Sequence, residues 1–490
     1  MTSIINDNKE QHNRIAIVDQ FGTYTYKQLN EQAQVIAKNI ISLTGNAEGT
    51  VLFMVPSGFE YVEVLWGIWL AGKIAVPLHT AHPLDEIKYL AEDTAASLFI
   101  ADSVFLDKAK QATSSDCKLL SVGEISKANC NASLPAIDPE QDALIIYTSG
   151  TTGKPKGVVM SHLQIETQVK SLTQAWAWCA ADRTLNVLPM HHVHGLINIT
   201  CCAMYNGAVL EMQPTFDAAF VRERMLSGEL SLFMAVPTIY HKLIQHYEQL
   251  SAAEQAAWTK AMQDMRLMVS GSAALPISVL QKWETISGHR LLERYGMSEI
   301  GMALSNPLQG ERKPGFVGRP LPFVAAKIVQ EDGVEVTEHS VAGELYVSGP
   351  TVFKRYWQRP EETQKAFDGK WFKTGDIVER DADGDYKILG RNSSDIIKSG
   401  GYKISALEIE NLILEHPNVL ECAVIALPSE EWGEVVAAVV VGDTSLDELK
   451  EWTKQKLAHY KTPRHWQSLK TLPRNAMGKV VKKELKSLFE

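Results

Sequence analysis

Residues 147–158 read Tyr147-Thr-Ser-Gly-Thr-Thr-Gly-Lys-Pro-Lys-Gly-Val158 and follow an apolar run of strand-forming residues, Ala143-Leu-Ile-Ile146. Hydroxyl groups and free backbone N–H groups donate hydrogen bonds to phosphate oxygens, glycine lets the backbone approach closely, and lysine adds positive charge. The stretch therefore predicts a phosphate-binding loop at the end of a strand. Its spacing differs from the G-x-x-x-x-G-K-[ST] pattern, which excludes a Walker A loop. A flexible surface loop is the alternative interpretation.

The bulk composition narrows the function classes. A chain of 490 residues predicts two to four domains or subdomains, and 45% apolar with 22% charged residues is typical of a soluble globular protein. A net charge of −10 argues against a nucleic-acid-binding protein, because no basic stripe balances the acidic total. The six cysteines form no C-x-x-C pair, and residues 1–10 lack an apolar signal segment. We therefore expect reduced thiols, a cytoplasmic location and no membrane span.

Along roughly the first 340 residues, strand-like runs alternate with segments of helical periodicity. One predicted helix runs from Tyr26 to Ile41. Its apolar face comprises Leu29, Ala33, Ile36, Ala37 and Ile40. Further helices are expected at 60–71 and 84–93, and strands at 51–55, 74–78, 98–100, 185–188, 232–236 and 266–269. This alternation predicts parallel sheets covered by helices, with ligands at the carboxyl ends of the strands.

After about Gly343 the pattern changes twice. Short β segments are expected first, at 344–347, 377–380 and 386–389, with Asp383-Gly384 as a hairpin turn. A small α/β unit follows, with helices at 406–415 and 446–457 and strands at 423–426 and 435–441. The predicted fold class is α/β, with a large N-terminal domain of parallel αβ sheets, a small β subdomain and a small C-terminal α/β domain. The domain boundary is placed at residues 391–394.

Further motifs occur in order along the chain. They are Ser270-Gly-Ser-Ala-Ala-Leu-Pro276, Arg294-Tyr-Gly-Met-Ser-Glu299, Thr374-Gly-Asp376, Gly390-Arg391, Ser399-Gly-Gly-Tyr-Lys403 and Pro473-Arg-Asn-Ala-Met-Gly-Lys479. With residues 147–158, this set resembles the adenylate-forming superfamily of acyl-CoA synthetases, peptide-synthetase adenylation domains and luciferases. The resemblance implies activation of a carboxylate by ATP to an acyl-adenylate, and then transfer of the acyl group to a thiol. It also implies an AMP-binding domain at 1–390, a hinge at 391–394 and a mobile C-terminal domain at 395–490.

Most of these motifs are implied to bind the nucleotide. The expected nucleotide-binding residues are Thr148, Ser149, Gly150, Thr151, Thr152, Lys156, Ser272, Ala273, Ala274, Tyr295, Gly296, Met297, Ser298, Asp376 and Arg391. An aromatic ring such as that of Tyr295 suits adenine stacking. The resemblance gives Asp376 the ribose hydroxyls and Arg391 the ribose or a phosphate. An aspartate that caps a turn is the alternative for Asp376.

Three residues are implied to be catalytic: Thr148, Glu299 and Lys479. A carboxylate suits Mg²⁺, and the resemblance gives that ion to Glu299, which without it is an ordinary solvated side chain. Lysine stabilises the charge that develops as a carboxylate attacks the α-phosphorus, so Lys479 is the expected main catalytic residue. A solvated surface charge is the alternative for Lys479.

The loop Ser399-Gly400-Gly401 resembles the segment that lines the CoA channel, since two glycines let a pantetheine arm pass close to the backbone. An ordinary turn before the next helix is the alternative. Many relatives carry Asp or Lys two positions after the arginine of the hinge motif. Ser393 stands there in this chain, so the chain departs from the family pattern at the hinge.

The run His191-His-Val-His194 lacks the spacing of a zinc site. The resemblance implies instead that His192 is a gate beside the acyl pocket. Asp217 is superficially similar to the amine-binding aspartate of adenylation domains, but it lies well after the gate motif and is predicted to cap the following helix.

Arg294 indicates which class of carboxylic acid is the substrate. It precedes a motif whose backbone lines the acyl pocket, and a buried guanidinium beside an alkyl chain is costly without a partner. A dicarboxylate supplies that partner through a bidentate pair. Residues 268–276, 291–307 and 395–408 are similar to malonyl-CoA synthetases, so the expected substrate-binding residues are His192, Ser270 and Arg294. Pairing of Arg294 with Glu293 or another internal acid is the alternative.

The sequence thus predicts an ATP- and Mg²⁺-dependent acid–CoA ligase for malonate or methylmalonate, acting as a monomer or homodimer. A CoA ligase for a fatty or aryl monocarboxylic acid is the nearest alternative. A non-catalytic nucleotide-binding protein of the same fold, or an amino-acid-loading domain, is a further one.

Overall fold

Short apolar strands that are buried along their whole length form the centre of the molecule, as in parallel sheets covered on both faces. The structure, a computed structural model, describes residues 12–127, 130–148, 154–392, 394–400, 402–474 and 480–489. Within these ranges the strands form four sheets, two large and two small. The predicted α/β fold class, with its β subdomain and small C-terminal domain, is confirmed.

The first large sheet has nine strands and is parallel through its centre. In spatial order they are Arg319–Pro320, Gly301–Ser305, Leu292–Met297, Leu267–Ser270, Leu232–Ala235, Arg183–Asn186, Val209–Met212, Ile15–Asp19 and Gly22–Thr25. The second has seven strands and ends in two antiparallel pairings. Its order is Arg355–Tyr356, Lys156–Ser161, Asp142–Thr148, Ile74–Pro77, Thr50–Met54, Leu98–Ala101 and Lys118–Ser121.

The two small sheets follow in sequence. The antiparallel β subdomain comprises Glu335–Val336, Ala325–Val329, Gly343–Ser348, Trp371–Arg380 and Phe367–Asp368, and Tyr386–Arg391 also pairs with Trp371–Arg380. The C-terminal sheet comprises Tyr402–Ser405, Ile396–Ser399, Gly433–Gly442 and Val419–Ser429, and His465–Ser468 also pairs with Gly433–Gly442. The chain therefore leaves one sheet at Arg391 and enters the next at Ile396. This change of sheet agrees with a boundary at 391–394, which stays a prediction.

Helices connect the strands. The α-helices are Tyr26–Thr44, Phe59–Leu70, Leu84–Thr94, Leu106–Ala112, Val122–Ile125, His162–Trp176, Cys202–Tyr205, Ala218–Leu226, Pro237–Glu248, Ala252–Gln263, Ile277–Ser287, Pro360–Ala366, Ala406–Ile413, Leu446–Lys456 and Lys482–Leu485. A π-helix spans His194–Cys201, and 3-10 turns span Ser103–Phe105, His459–Lys461 and Lys486–Phe489. Of the described helices, none is both long and apolar enough to cross a membrane.

Local sequence signals explain several element boundaries. The helix predicted from Tyr26 begins there, because Thr25 and Gln28 form a capping box, and its predicted apolar face is buried. Asp217 caps the helix that directly follows it, Ala218–Leu226, as predicted, and accepts a hydrogen bond from the Phe220 N–H at 2.7 Å. The strand expected at 185–188 instead covers Arg183–Asn186, two residues earlier.

Candidate active site

Two neighbouring parallel strands end beside each other and define the floor of the site. Leu267–Ser270 pairs with Leu292–Met297, with Ser270 opposite Glu293. Since ligands of α/β sheets bind at the carboxyl ends of strands, the predicted substrate residues Ser270 and Arg294 lie where a ligand is expected.

Arg294 is almost completely buried, with 2% of its surface exposed. One guanidinium nitrogen, Nη2, lies 3.4 Å from the Ser272 hydroxyl, while Nε and Nη1 have no partner among the described residues. Burial lowers the pKa of Arg294 to about 9, which expresses the cost of keeping this charge away from water. Such a group needs an anion, and the described part of the chain places none beside it.

The alternative in which Arg294 pairs with Glu293 is wrong for the described chain. Successive residues of a strand point to opposite faces, and no ion pair joins these two side chains. Glu293 is also buried, and burial raises the pKa of its carboxyl to about 8. Below that pH Glu293 is neutral and brings no negative charge to this part of the sheet.

Gly271 and Ser272 shape the space around the guanidinium. A Cβ atom at Gly271 would stand only 2.6 Å from Cζ of Arg294, so the absence of a side chain there gives the guanidinium its room. Ser272 has φ of 72°, a left-handed conformation that is uncommon for serine. Its hydroxyl lies between Arg294 Nη2 and Nδ1 of His194, the second at 3.1 Å.

His194 and Asn198 extend this polar pocket. Both are on the π-helix His194–Cys201, a geometry that is frequent at functional sites. Burial, then the charges of Arg294 and His192, lower the pKa of His194 far below its ordinary value, so the imidazole is neutral. Buried atoms without a partner among the described residues are Nε2 of His194, Oγ of Ser270 and both amide atoms of Asn198. Sequence reasoning did not identify Asn198, because an i→i+5 helix has no simple sequence signal.

Three of the predicted nucleotide residues form one connected group. The Tyr295 hydroxyl donates to Oδ2 of Asp376 at 2.5 Å, and Nε of Arg391 donates to Oδ1 of the same carboxylate at 3.0 Å. Asp376 and Arg391 face each other across paired strands of the β subdomain, whereas Tyr295 belongs to the nine-stranded sheet. The interpretation of Asp376 as a simple turn cap is therefore insufficient, since its carboxylate joins two sheets.

Glu299 lies buried nearby. Its Oε1 accepts a hydrogen bond from the Tyr356 hydroxyl at 3.0 Å, and burial raises the pKa of Glu299 above its ordinary value. No lysine or arginine among the described residues forms an ion pair with it. A buried carboxylate that has no cation from the chain fits a hard metal ion such as Mg²⁺. Lys156, a predicted nucleotide residue, pairs instead with Glu362.

Four histidines lie close together, and only His191 and His192 of them were identified from the sequence. The rings of His79 and His82 contact His191, with centroids 4.4 and 5.4 Å away, and His192 contacts His191 at 3.8 Å. Burial, then His79 and Lys108, lower the pKa of His82 to about 4, so it is neutral at physiological pH. The signal that could have found them was His79, directly after the predicted strand 74–78, with His82 three residues further on.

Three carboxylates lie close enough to hold a metal ion: those of Asp381, Asp383 and Asp385. The ammonium of Lys313 occupies the space between them, 2.5, 2.6 and 3.1 Å from their oxygens. A side-chain cation therefore stands where an ion would bind. The turn predicted at Asp383-Gly384 is present, closed by Gly384 N–H to Asp381 C=O.

The predicted CoA loop lies against an aromatic ring. Gly400 has φ of 55°, its N–H donates to the Trp432 carbonyl at 2.9 Å, and a Cβ there would stand 2.8 Å from the Trp432 ring. The Arg464 guanidinium lies over the Trp432 ring, 4.5 Å from its centroid. Ser399 is buried at the end of its strand.

The structure gives the positions of the other predicted residues, but their contacts do not test their predicted roles. Thr148 ends the strand Asp142–Thr148, opposite Lys156, and Ala273 and Ala274 are exposed in the turn after Ser272. Gly296 packs against the backbone of Gly301 and Met302, which leaves no room for a side chain. Met297 and Ser298 follow it, half-buried. Ser149, Gly150, Thr151, Thr152, Ser393, Gly401 and Lys479 lie outside the described residues.

A separate cavity of about 720 Å³ lies at the amino ends of strands in the seven-stranded sheet. Its lining includes Thr50, Ile74 and Asp142, which begin their strands. The polar groups described above lie instead at the carboxyl ends of strands, and none of them lines this cavity.

The fold and the site together define an α/β protein with a buried cationic pocket and a hydrogen-bonded group, Tyr295, Asp376 and Arg391, that is predicted to act as a nucleotide clamp. The chain belongs to the AMP-binding enzyme family: the family model described as AMP-binding enzyme matches residues 6–357, and the one described as AMP-binding enzyme C-terminal domain matches residues 408–479.

Similar proteins agree with this assignment. The chain is 43% identical to the mitochondrial malonate–CoA ligase ACSF3 of Xenopus laevis, over 96% of this chain and 89% of that protein. It is 40% identical to a malonate–CoA ligase of Arabidopsis thaliana, over 97% and 86%. The crystal structure of ATP-bound MatB from Rhodopseudomonas palustris is 30% identical and superposes with a TM-score of 0.92, covering 100% of this chain and 98% of that one.

Proposed function

We propose that the protein is an ATP-dependent malonate–CoA ligase. In the first step a malonate carboxylate attacks the α-phosphorus of ATP, giving malonyl-AMP and pyrophosphate. In the second step the CoA thiolate attacks the acyl carbon, forming malonyl-CoA and releasing AMP. The names of the similar proteins from Xenopus and Arabidopsis support this acid.

The observation that carries the proposal is the unpaired guanidinium of Arg294. Malonate has two carboxylates, so one reacts with ATP while the other pairs with the guanidinium, whose Nε and Nη1 lack a partner among the described residues. The hydroxyls of Ser270 and Ser272 are further donors for that carboxylate. A fatty or aryl monocarboxylic acid would leave the guanidinium buried against apolar atoms, which costs several kcal/mol in typical proteins.

The neutral charge of His194 strengthens the preference for a dicarboxylate substrate. Because His194 is uncharged and shares the Ser272 hydroxyl with Arg294, the positive charge of the pocket belongs to Arg294 alone. One carboxylate therefore neutralises the charge of Arg294, and no further positive charge remains in the pocket. This balance suits a short dicarboxylate with a single free end.

On the nucleotide side, Tyr295 supplies a ring for adenine and Asp376 accepts from the ribose hydroxyls, while Arg391 orients Asp376. Glu299 is the residue that would hold Mg²⁺, which neutralises phosphate charge when bound. Lys479 stabilises the charge that develops on the α-phosphate. Rotation about 391–394 then exchanges Lys479 for the Gly400 loop. Cytoplasmic location and a monomeric or homodimeric state stay predictions.

The test is pyrophosphate release with ATP and Mg²⁺ on malonate, methylmalonate, octanoate and 4-coumarate, with and without CoA. We expect CoA-dependent turnover on malonate, and a loss of about 100-fold or more in kcat/KM for Arg294→Met, the scale of a removed buried charge pair. Arg294→Lys keeps the positive charge but loses the two-pronged donor geometry of the guanidinium, so it should recover only part of kcat/KM.

Arg319→Met is the matched control, because Arg319 is largely exposed and pairs with Asp385 away from the pocket. It should leave turnover unchanged. Turnover of octanoate or coumarate with malonate inert would keep the ligase and contradict the dicarboxylate proposal. Silence on every acid would favour the nucleotide-binding alternative.

A further inference from the structure

A buried lysine near the C-terminus lies between two carboxylates. Nζ of Lys482 is 2.6 Å from Oδ1 of Asp395 and 2.7 Å from Oε1 of Glu410. None of the three side chains is more than 18% exposed. They come from three separate places: the helix Lys482–Leu485, the segment just before Ile396–Ser399, and the helix Ala406–Ile413.

Both carboxylates make a second contact. Oε1 of Glu410 also accepts from the Val424 N–H at 2.7 Å, which fixes it to the C-terminal sheet. Oδ2 of Asp395 accepts from the backbone N–H of Arg391 at 3.1 Å, and the Asp395 N–H donates to the Arg391 carbonyl at 2.8 Å. Lys482 therefore holds the residue that fixes the backbone of Arg391.

Arg391 continues this line of contacts into the nucleotide clamp. Its guanidinium binds Asp376, which accepts from the Tyr295 hydroxyl. An unbroken series of contacts thus runs from Lys482 through Asp395, Arg391 and Asp376 to Tyr295. Such contiguous polar contacts are one physical route for coupling two sites.

The other direction along the chain leads to the predicted catalytic lysine. Lys482 lies three residues after Lys479. The described chain resumes at Val480, which forms a β-bridge with Arg474, and the Val481 N–H donates to the Pro473 carbonyl at 2.9 Å. The two flanks of the segment that contains Lys479 are therefore held together, and Lys482 fixes the second flank to Asp395.

The choice of charged residues here needs a reason beyond stability. Replacing a buried ion pair by apolar residues is often neutral or stabilising, so such pairs are weak evidence for a stabilising role. Burial alone would lower the pKa of Lys482, but Glu410 and Asp395 outweigh it and hold the pKa above its ordinary value. The ammonium is thus charged and oriented, which favours a role in geometry. The neighbouring Lys483 is exposed and makes no such pair in the described chain.

We propose that Lys482 is a positioning residue for the adenylation step: by bridging Asp395 and Glu410, it fixes the flank that follows Lys479 and the backbone of Arg391 relative to each other. The proposal rests on the proposed ligase function. It predicts an effect on the first half-reaction and not on the second, since thioester formation uses the Gly400 loop after the hinge has moved.

The experiment compares Lys482→Met with Lys482→Arg and Lys483→Met in the full-length protein. For Lys482→Met we expect kcat for pyrophosphate release to fall about tenfold or more, with KM for malonate unchanged, because Arg294 lies in the other domain. Thioester formation from added malonyl-AMP should stay within about threefold of wild type. Lys482→Arg keeps both ion pairs and should restore most of the rate, and Lys483→Met should match wild type.

Asp395→Asn covers the case in which Lys482→Met fails to fold, since it keeps the shape and weakens the same bridge. It should show the same loss in the first half-reaction alone. Equal losses in both half-reactions, or no rescue by Lys482→Arg, would show a merely structural role and overturn the proposal. Wild-type turnover of another acid in place of malonate would contradict the proposed substrate, while the same comparison on that acid would still decide the role of Lys482. Absence of wild-type turnover on every acid would overturn both.

Discussion

Gly271 and Arg294 are complementary: the bare Cα of one forms the surface against which the guanidinium of the other lies. A Cβ at Gly271 would be 2.6 Å from Cζ and 2.7 Å from Nε and Nη1, closer than real Cβ atoms come to their neighbours. The position of the cationic pocket therefore depends on a residue that carries no side chain.

Gly271→Ala should displace the guanidinium and weaken binding of the acid. We expect KM for malonate to rise about tenfold, since overpacking of this kind typically costs 1–3 kcal/mol. Steady-state kinetics with varied malonate measure the change, and KM for ATP should stay constant. Gly123→Ala is the control, because a Cβ there meets nothing within 4 Å. An unchanged malonate KM in Gly271→Ala would show that Arg294 does not bind the acid.

Glu299→Gln should impair adenylation, the step for which we propose a Mg²⁺ ion at Glu299. The amide keeps the hydrogen bond from Tyr356 but loses the charge that a cation needs, so we expect adenylation to fall about 100-fold and the Mg²⁺ concentration for half-maximal rate to rise. A Mg²⁺ titration of pyrophosphate release measures both. Tyr356→Phe removes only the hydrogen bond and should cost much less. An unchanged Mg²⁺ dependence in Glu299→Gln would show that Glu299 does not hold the metal ion.

Glu293 predicts a pH-dependent stability. Burial raises the pKa of this carboxyl from 4.5 to about 8, so between these values the folded protein keeps a proton that the unfolded chain has lost. The free energy of unfolding therefore decreases as pH rises through this window. Glu293→Gln removes the effect, so its Tm advantage over wild type should be smallest at pH 5 and largest at pH 8. Differential scanning calorimetry measures it, with the exposed Glu430→Gln as control. A Tm difference that stays constant with pH would contradict the buried neutral carboxyl.

Gly400→Ala should slow the second half-reaction alone. The added Cβ would stand 2.8 Å from the Trp432 ring, which narrows the predicted passage for the pantetheine arm. We expect thioester formation from malonyl-AMP to slow about tenfold while pyrophosphate release is spared. Gly369→Ala is a close control, because Gly369 has a similar φ, 57° against 55°, but open space around it. Equal effects in the two variants would indicate backbone strain rather than obstruction.

Much of the fold was predictable because its signals are local. The helix from Tyr26, the cap at Asp217 and the turn at Asp383-Gly384 depend on residues close in sequence, and all three are present. Strand ends moved by one or two residues, as at 183–186, since apolar runs extend past the last ladder hydrogen bond.

Within the site, the burial of Arg294 was predictable and the partners of the site residues were not. The burial of Arg294 followed from its place in a motif, but the bare floor at Gly271 and the hydroxyl of Ser272 depend on three-dimensional contacts. Tyr356 meets Glu299 across 57 residues, and no local pattern reports that distance. The alternation of side chains along a strand could have excluded the Glu293 partner in advance.

The lysine held by Asp381, Asp383 and Asp385 has one more consequence. Many acidic hairpins are rigid only while a dissolved ion is available, and they loosen when a chelator removes it. In this protein the counter-charge is covalently tethered through Lys313, so its local concentration does not depend on the surrounding solution. We therefore expect the hairpin that leads to Arg391 to keep its shape through changes in free calcium or magnesium, because its counter-charge belongs to the chain.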